Sequence, residues 1–371
     1  MPSKSVLVTG GAGFIGSNLA SELISQGHQV KILDNLDPQV HPDGPSYFGN
    51  DFTLIRGDIR DADTVERAIE DVDIIFHNAA AVGVAQSMYR IHNYIDVNSL
   101  GTGNLLEVLT NSGNGVKKLV VASSNTVYGE GSYDCPECGL IDPGMRPASQ
   151  LKEHDWSVRC PNCGEAASPV PTKEDRSLHP TTVYAITKRD QEELCLQVGG
   201  AYGIPVVALR YFNVLGPGQS LKNPYTGVCA IFSSRIRDGK APVVYEDGSQ
   251  TRDIVSVKDI VQGNMLAMNL NSMNYGIFNV GTGRAISILD IANELLRLHG
   301  SDLKPEIPGK FRAGDVRHCF ADVSRISSHG YKPKYQFDRT IRDFYEWSKE
   351  HQSRDLFDRA QNEMNSRGLI I

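Results

Sequence analysis

Apolar positions repeat with two different periods along this chain. Ser5-Val6-Leu7-Val8-Thr9 is a short β-branched run of the kind that forms a buried strand. A glycine-rich turn follows from Gly10 to Gly16, and Leu19, Leu23 and Ile24 then recur at helical spacing as far as Gly27. Val30-Lys31-Ile32-Leu33-Asp34 is a second strand that ends on an acid. Strand-like runs return at 53–56, 73–77, 116–124 and 205–211, with helical stretches between them, one over Tyr94–Leu109. Strands alternating with helices predict an α/β protein with a parallel, doubly wound sheet and ligands at the carboxyl ends of its strands. The expected division is a first domain over 1–212, interrupted by an insertion at 131–170, and a smaller C-terminal domain over 213–371 with some segments returning to the first. Asn279-Val280-Gly281 reads as a returning strand and turn. The stretch from Trp347 to Ile371 reads as a charged helix and tail without a motif.

The first turn carries chemistry. Gly10-x-x-Gly13-x-x-Gly16 lies between strand and helix, and Asp34 closes the next strand. Gly10 permits the tight turn, Gly13 the approach of a pyrophosphate, and Gly16 the close packing of helix on strand. The helix N-terminus faces the phosphates. This is a Rossmann-type dinucleotide site. Asp34 sits where a carboxylate accepts both ribose hydroxyls of NAD and repels the 2′-phosphate of NADP. The expected cofactor contacts begin with Gly10, Gly13, Phe14, Ile15, Gly16, Asp34 and Asn35. Asp58 is placed to meet the adenine edge, with Ile59 beside it. Ala79 and Ala80, after the fourth strand, are small enough for close cofactor contact, and Asn98 lies on the helix that follows.

Tyr184-Ala185-Ile186-Thr187-Lys188 places a phenol and an ammonium four positions apart on one helix face. The ammonium favours the phenolate, so Tyr184 is expected to act as a base near neutral pH. Pro180 is a stop before this helix and Thr182 its candidate cap. Tyr-x-x-x-Lys alone is a weak pattern, and its weight comes from the motifs upstream.

Composition narrows the class of partner. The 371 residues carry a net charge of −7 with no basic tract, which argues against a nucleic-acid partner. No apolar run approaches the length of a membrane span. Met1-Pro2-Ser3-Lys4-Ser5 leads directly into a strand without the features of a signal peptide, so the expectation is a soluble cytoplasmic protein.

The Gly10–Gly16 spacing, Asp34, Gly57-Asp58, Ser124 and Tyr184-x-x-x-Lys188 together resemble the extended short-chain dehydrogenase/reductases. Within them the chain is similar to the NAD-dependent nucleotide-sugar epimerases and dehydratases. The resemblance covers nearly the whole chain apart from about 131–170. It implies that Tyr184 takes the 4-hydroxyl proton of a nucleoside-diphosphate sugar while the C4 hydride passes to a tightly bound NAD. Lys188 holds the nicotinamide ribose, Ser124 relays the same proton and Thr126 supports it. Tyr211 borders the nicotinamide. In 4,6-dehydratases of this family an Asp-Glu pair follows the catalytic hydroxyl, and in UDP-glucuronate decarboxylases a Glu stands at the second position. Asn125 and Thr126 occupy those positions here and cannot do carboxylate acid/base work. That favours C4 epimerisation. The implied substrate contacts are Val84, Gln86, Ser87 and Asn125 around the sugar, Asn213 on the pyrophosphate, and Arg252 on the diphosphate. Arg312-Ala313-Gly314-Asp315 is a second grip, with Arg312 on phosphate and Asp315 on ribose. Ala79-Ala80-Ala81-Val82-Gly83-Val84, Asn223-Pro224-Tyr225-Thr226-Gly227-Val228 and the insertion together most resemble the dTDP-L-rhamnose 4-epimerases. UDP-glucose and UDP-GlcNAc 4-epimerases are the alternative, then a keto-sugar nucleotide reductase and a non-catalytic NAD-binding relative. A homodimer through the Tyr184 and Asn98 helices is the habit of the family.

The insertion holds Cys135-Pro136-Glu137-Cys138-Gly139 and Cys160-Pro161-Asn162-Cys163-Gly164, with 21 residues between the pairs. Two Cys-x-x-Cys-Gly turns predict a zinc ribbon with a structural Cys₄ site, closed to substrate because all four positions are protein ligands. Cys195, Cys229 and Cys319 are expected to be buried thiols.

Overall fold

The computed structural model describes residues 2–371 except 43, 45–50, 114, 226 and 313, so Ala313 and Thr226 of the motifs above lie outside the described residues. The first half runs β1 (Ser5–Thr9), α1 (Phe14–Ser25), β2 (Gln29–Asp34), β3 (Phe52–Arg56), α2 (Ala62–Ile69), β4 (Ile74–His77), α3 (Val84–Ser87), α4 (Ile91–Tyr94), a π-helical stretch Ile95–Leu100, α5 (Gly101–Asn111) and β5 (Lys118–Ser124). The insertion carries β6 (Ser132–Cys135), β7 (Gly139–Ile141), α6 (Ala148–Lys152) and β8 (Ser168–Val170). Then come α7 (Val183–Tyr202), β9 (Val206–Tyr211), β10 (Asn213–Leu215), α8 (Val228–Arg237), β11 (Thr251–Arg252), β12 (Ile254–Ser256), α9 (Val257–Asn269) and β13 (Gly276–Val280). The chain ends with β14 (Ile286–Ser287), α10 (Ile288–Leu298), β15 (His318–Cys319), α11 (Ser324–Ser327), α12 (Phe337–Lys349) and α13 (Phe357–Asn365).

Seven strands form one parallel sheet in the order β13-β9-β5-β4-β1-β2-β3. The order reverses between β1 and β4, and a doubly wound sheet opens its ligand crevice at such a point. The strands are covered on both faces, so their residues divide between two cores. Val6 and Val8 of β1 join Leu19 and Leu23 of α1 and Ile260 and Met268 of α9. Leu7, between them, joins Val65 of α2, Leu105 of α5 and Cys195 of α7. Each such side chain contributes roughly 1.5–3 kcal/mol by leaving water. This explains why the sheet strands read as unbroken apolar runs.

Two features depart from the expected elements. The single helix over Tyr94–Leu109 is broken by the π-helical turn at Ile95–Leu100. Asn98 sits in that turn, fully buried. The tail after Trp347 is not a free surface helix: Phe357, Met364 and Ile370 pack with Val243 and Tyr245, with Ala85 and Tyr89 against them. A third core joins Phe232 of α8, Leu295 of α10 and Phe344 of α12, beside β10 and β12. β13 lies beyond residue 213 yet forms one edge of the seven-stranded sheet, paired with β9 from Gly276↔Val207 to Val280↔Tyr211. No helix among the described residues is long and apolar enough to cross a membrane.

Candidate active site

The carboxyl ends of β1, β2, β4, β5 and β9 share one edge of the parallel sheet, and Gly10, Asp34, Ala79, Ser124 and Tyr211 stand at or just beyond it. Gly10 has φ +65°, and a Cβ there would stand 2.9 Å from the Ala79 backbone. The glycine turn is therefore pressed against the loop after β4. A Cβ at Gly16 would stand 2.3 Å from the Gly10 carbonyl, so α1 can start here only behind a glycine. Asp34, at the end of β2, accepts from the Ala12 amide at 3.0 Å and the Leu36 amide at 2.9 Å. Two accepted bonds leave a carboxylate with lone pairs to spare beside the turn. Asn35 donates to Asp58 at 2.9 Å, and Arg60 holds the same carboxylate from both sides at 2.8 Å. These contacts, with Arg60 foremost, hold Asp58 well below the usual carboxylate range. Ile59 packs into the core with Leu105 instead of facing the crevice.

After β4, Asn98 clamps the small-residue loop: it accepts from the Ala81 amide at 2.7 Å and donates to the Ala81 carbonyl at 3.1 Å and to Thr187 at 2.9 Å. The π-helical turn thus ties the Ala79–Ala81 loop to α7. Asn78 is half-buried with both polar atoms of its side-chain amide screened from solvent and unpartnered, and so is the side-chain oxygen of half-buried Asn213. Buried amides without partners call for a ligand that hydrogen-bonds them. With the glycine cradle and the free valences of Asp34, they fit a bound dinucleotide.

α7 starts at Thr182, whose hydroxyl caps the Ala185 amide at 3.3 Å. Tyr184, Ala185, Thr187 and Lys188 face inward, and Ile186 faces solvent. The Lys188 ammonium donates to the Ala122 carbonyl of β5 at 2.8 Å. Burial lowers its pKa to about 7. Burial also pushes the Tyr184 phenol up to about 12, while the Ser124 hydroxyl, within hydrogen-bonding reach, pulls it the other way. The expectation that the neighbouring ammonium dominates is thus corrected: in the protein alone, burial sets the direction and Ser124 is the group that opposes it. Ser124 ends β5 and accepts from both the amide and the hydroxyl of Thr126, at 3.2 and 3.0 Å. Asn125 turns to the Cys319 thiol. Tyr211 lies beside Ser124 in the sheet register, but its hydroxyl is taken by Asn264 at 2.9 Å, so only its backbone borders the crevice.

The sugar-side residues divide. Val84 is exposed on a cleft that also touches Thr182, Arg312 and Asp315. Gln86 is buried and exchanges hydrogen bonds with Gln39 at 3.0 and 3.1 Å. Ser87 is fully buried and donates to the Val84 carbonyl at 2.6 Å, so it shapes the turn and faces no cleft. Asp315 stands between two guanidinium groups, Arg252 at 3.2 Å and Arg312 at 3.4 Å. Burial works to raise its pKa, but Arg312, Arg252 and Arg146 outweigh it. Arg252 also donates to the carbonyls of Thr251, Arg317 and Val316. Arg312 lies over the Tyr245 ring at 4.7 Å. Arg312 and Asp315 line the cleft, and Arg252 stands behind them on Asp315.

Sequence reading missed two supports. Beneath Ser124, Arg210 of β9 pairs with Glu192 of α7 at 2.9 Å, and Ser123 donates to the same carboxylate at 2.6 Å. Glu192 lies two turns beyond Tyr184 on α7, and that spacing was the available signal. The second support is the C-terminal tail, whose Met364 and Leu369 line the cleft.

In the insertion the four sulfurs of Cys135, Cys138, Cys160 and Cys163 lie within 4.8 Å of one another. Cys135 and Cys163 are 3.5 Å apart, too far for a disulfide of about 2.05 Å and near the edge of about 3.8 Å expected for four sulfurs around zinc. Gly139 and Gly164, with φ of +70° and +82°, make the turn after each pair. The donor set suits a tetrahedral thiolate-bound ion.

Comparison with known proteins agrees with this architecture. The model of the NAD dependent epimerase/dehydratase family matches residues 6–147 and 160–281, breaking off inside the segment between the two cysteine pairs. A dTDP-L-rhamnose 4-epimerase of Burkholderia thailandensis is 35% identical over 350 residues, 93% of this chain and 94% of the relative. The UDP-N-acetylglucosamine 4-epimerase of Methanobrevibacter ruminantium, solved with UDP-N-acetylmuramic acid, superimposes with a TM-score of 0.77 at 30% identity, over 95% of this chain and 100% of that one. The UDP-glucose 4-epimerase of Thermus thermophilus, solved with NAD, gives 0.73 at 30% identity, over 94% and 100%. The chain belongs to the NAD-dependent epimerase/dehydratase family and is an enzyme of that family, as its motifs implied.

Proposed function

We propose that this enzyme inverts C4 of a nucleoside-diphosphate sugar through a transient 4-keto sugar, with dTDP-L-rhamnose as its substrate. One observation carries the reaction class: Tyr184, Ser124 and Lys188 meet at the sheet's carboxyl edge, and no carboxylate stands at the positions of Asn125 and Thr126. NAD, when bound, supplies a hydride acceptor and a positive charge. Gly10, Gly13, Gly16, Asp34 and Asn98 would hold it, with the Ala79–Ala80 loop. Tyr184 takes the C4 hydroxyl proton. Its buried phenol resists ionisation until cationic charge offsets the desolvation, which is the task of Lys188. Ser124, held by Thr126, receives and returns the same proton. Arg252 and Arg312 grip the diphosphate, and Asp315 then exchanges an arginine partner for a ligand hydroxyl. Anchoring the diphosphate leaves the sugar free to present its other face.

The choice of sugar rests on the likeness to the Burkholderia enzyme. UDP-glucose and UDP-GlcNAc are the second reading, favoured by the solved relatives. Purified protein incubated with dTDP-L-rhamnose, UDP-glucose and UDP-GlcNAc, with products read by NMR, tests both. The expected result is C4 inversion of dTDP-L-rhamnose with no net change in NADH absorbance. Net NADH consumption would instead mark a reductase.

In the same proposal, residues 1–212 bind the cofactor and most of 213–371 the substrate. The four clustered cysteines hold a structural zinc, which the sulfur spacing supports. A homodimer through α5 and α7 is supported by the exposed apolar Ile95, Leu100, Ile186 and Leu194 on and beside these helices.

A further inference from the structure

The C-terminal tail reads in sequence as a charged helix without a motif, yet it is fastened over the cleft at several points. The Tyr89 and Tyr225 hydroxyls lie 3.0 and 2.8 Å from the Glu363 carboxylate of α13 and 2.6 Å from each other, so the three groups share two hydroxyl protons. Arg367 lies over the Tyr89 ring at 4.4 Å. Gly368 turns the chain with φ +69°, and the Leu369 amide returns to the Met364 carbonyl at 3.0 Å, the bond that closes a Schellman turn. Phe311 and Ile371 then exchange two backbone hydrogen bonds of 3.0 Å. This last pairing seats the tail directly beside Arg312.

Met364 and Leu369 of the tail line the cleft together with Val84, Ala85 and Met88, and Met364 packs in one cluster with Ala85 and Leu369. These five side chains form an apolar wall. Thr182, Arg312 and Asp315 are the polar residues of the same cleft. Thr182 caps the helix that carries Tyr184, and Arg312 belongs to the proposed diphosphate grip, so the cleft that the wall lines touches both the start of that helix and the grip. A sugar seated in this cleft meets that apolar lining. A hydroxymethyl or carboxylate edge would lose hydrogen bonds to water there without replacement, whereas a methyl group would not.

We propose that Met364 and Leu369 are specificity-determining residues, and that the wall they complete receives the C5 methyl of a 6-deoxyhexose. This rests on the reading of the site as a nucleotide-sugar cleft. It goes further in assigning the discrimination to the C-terminal tail.

The test compares dTDP-L-rhamnose with dTDP-L-mannose, which differ only in the 6-hydroxyl. The wild-type enzyme should prefer the 6-deoxy sugar in kcat/KM by about tenfold or more, the discrimination one small group allows in an apolar pocket. Met364→Gln and Leu369→Asn should each reduce that preference several-fold. Leu369→Ile should keep it, and inhibition by dTDP should be unchanged in all three. Equal losses for both sugars, or a weaker dTDP inhibition constant, would overturn the proposal by showing that the wall holds the nucleotide or only the fold. If the wild type epimerises neither sugar, the reaction assignment fails separately. Calorimetric affinities for the same pair then decide the wall: tighter binding of the 6-deoxy sugar that Met364→Gln abolishes supports it, and equal binding overturns it.

Discussion

Arg146, inside the cysteine-bearing insertion, makes a two-pronged ion pair with Glu246, 100 residues further on, at 2.9 and 3.1 Å. Both side chains are almost wholly buried. Arg146 also donates to the backbone carbonyl of Asp315, whose side chain separates Arg252 from Arg312. Glu246 has a second cation, Arg317, at 2.6 Å. Nearby, Trp156 of the insertion packs edge-on against Phe311. The insertion is therefore built into the frame that carries the proposed diphosphate grip. Replacing Arg146 with Met should cost about 3–5 kcal/mol, because Arg317 still faces Glu246 but buried Glu130, 3.5 Å from Arg146, loses its cation. Chemical denaturation would measure the loss, and in the surviving folded protein KM should rise more than kcat falls.

Tyr184→Phe removes the phenol that meets Ser124 from the helix face it shares with Lys188. Loss of a positioned proton acceptor lowers turnover by about 10²–10⁴. Epimerisation followed by NMR should fall by that factor with the melting temperature little changed. Turnover that survives the substitution would assign the proton transfer to another group.

Lys188 gives the cofactor-free protein a characteristic pH dependence. Its pKa drops from 10.5 in an ordinary setting to about 7 on burial. Between these values the unfolded chain binds more protons than the folded one, so the stability penalty is full below pH 7 and is relieved as pH rises toward 10.5. Denaturation at pH 7 and pH 9 should show a stabilisation with rising pH that is smaller in Lys188→Met. An identical slope in the variant would show that the ammonium is not the group responsible.

Metal content tests the cysteine cluster. Purified protein should contain about one zinc per chain, and Cys135→Ser should lose it together with some thermal stability. Unchanged zinc in that variant would rule out the four-cysteine assignment.

The exposed apolar surface of α5 and α7 gives an assembly prediction. Leu100 is 63% exposed at the end of the π-helical turn, beside Ile95, and Ile186 is exposed on α7. Leu100→Glu with Ile186→Lys should convert a dimer to a monomer in analytical ultracentrifugation. A wild-type monomer would refute the interface outright.

Much of the cofactor half was legible because its signals are local. Glycines at 10, 13 and 16, an acid at 34 and a Tyr-x-x-x-Lys pair each lie within one βα or αβ unit, where backbone geometry dictates residue type. Substrate-side assignments fared less evenly. Val84 reaches the cleft, but Ser87, three residues on, is consumed by the turn that Val84 begins. On the cofactor side, Asp58, expected to meet the adenine edge, is also held by Arg60, a contact that no local pattern announced.

By itself, then, the chain determined the order of strands and helices, the glycine turn, the cysteine pairs and the helix face shared by Tyr184 and Lys188. Those are short-range matters of period, φ and spacing. Tertiary structure decided what no local pattern encodes. It set the balance of burial against charge at Tyr184, because desolvation depends on everything packed around the phenol. It joined Arg146 to Glu246 and Arg210 to Glu192. It also brought the motif-free C-terminal tail across the cleft, because contacts among Tyr89, Tyr225 and Glu363 exist only once distant segments have folded together.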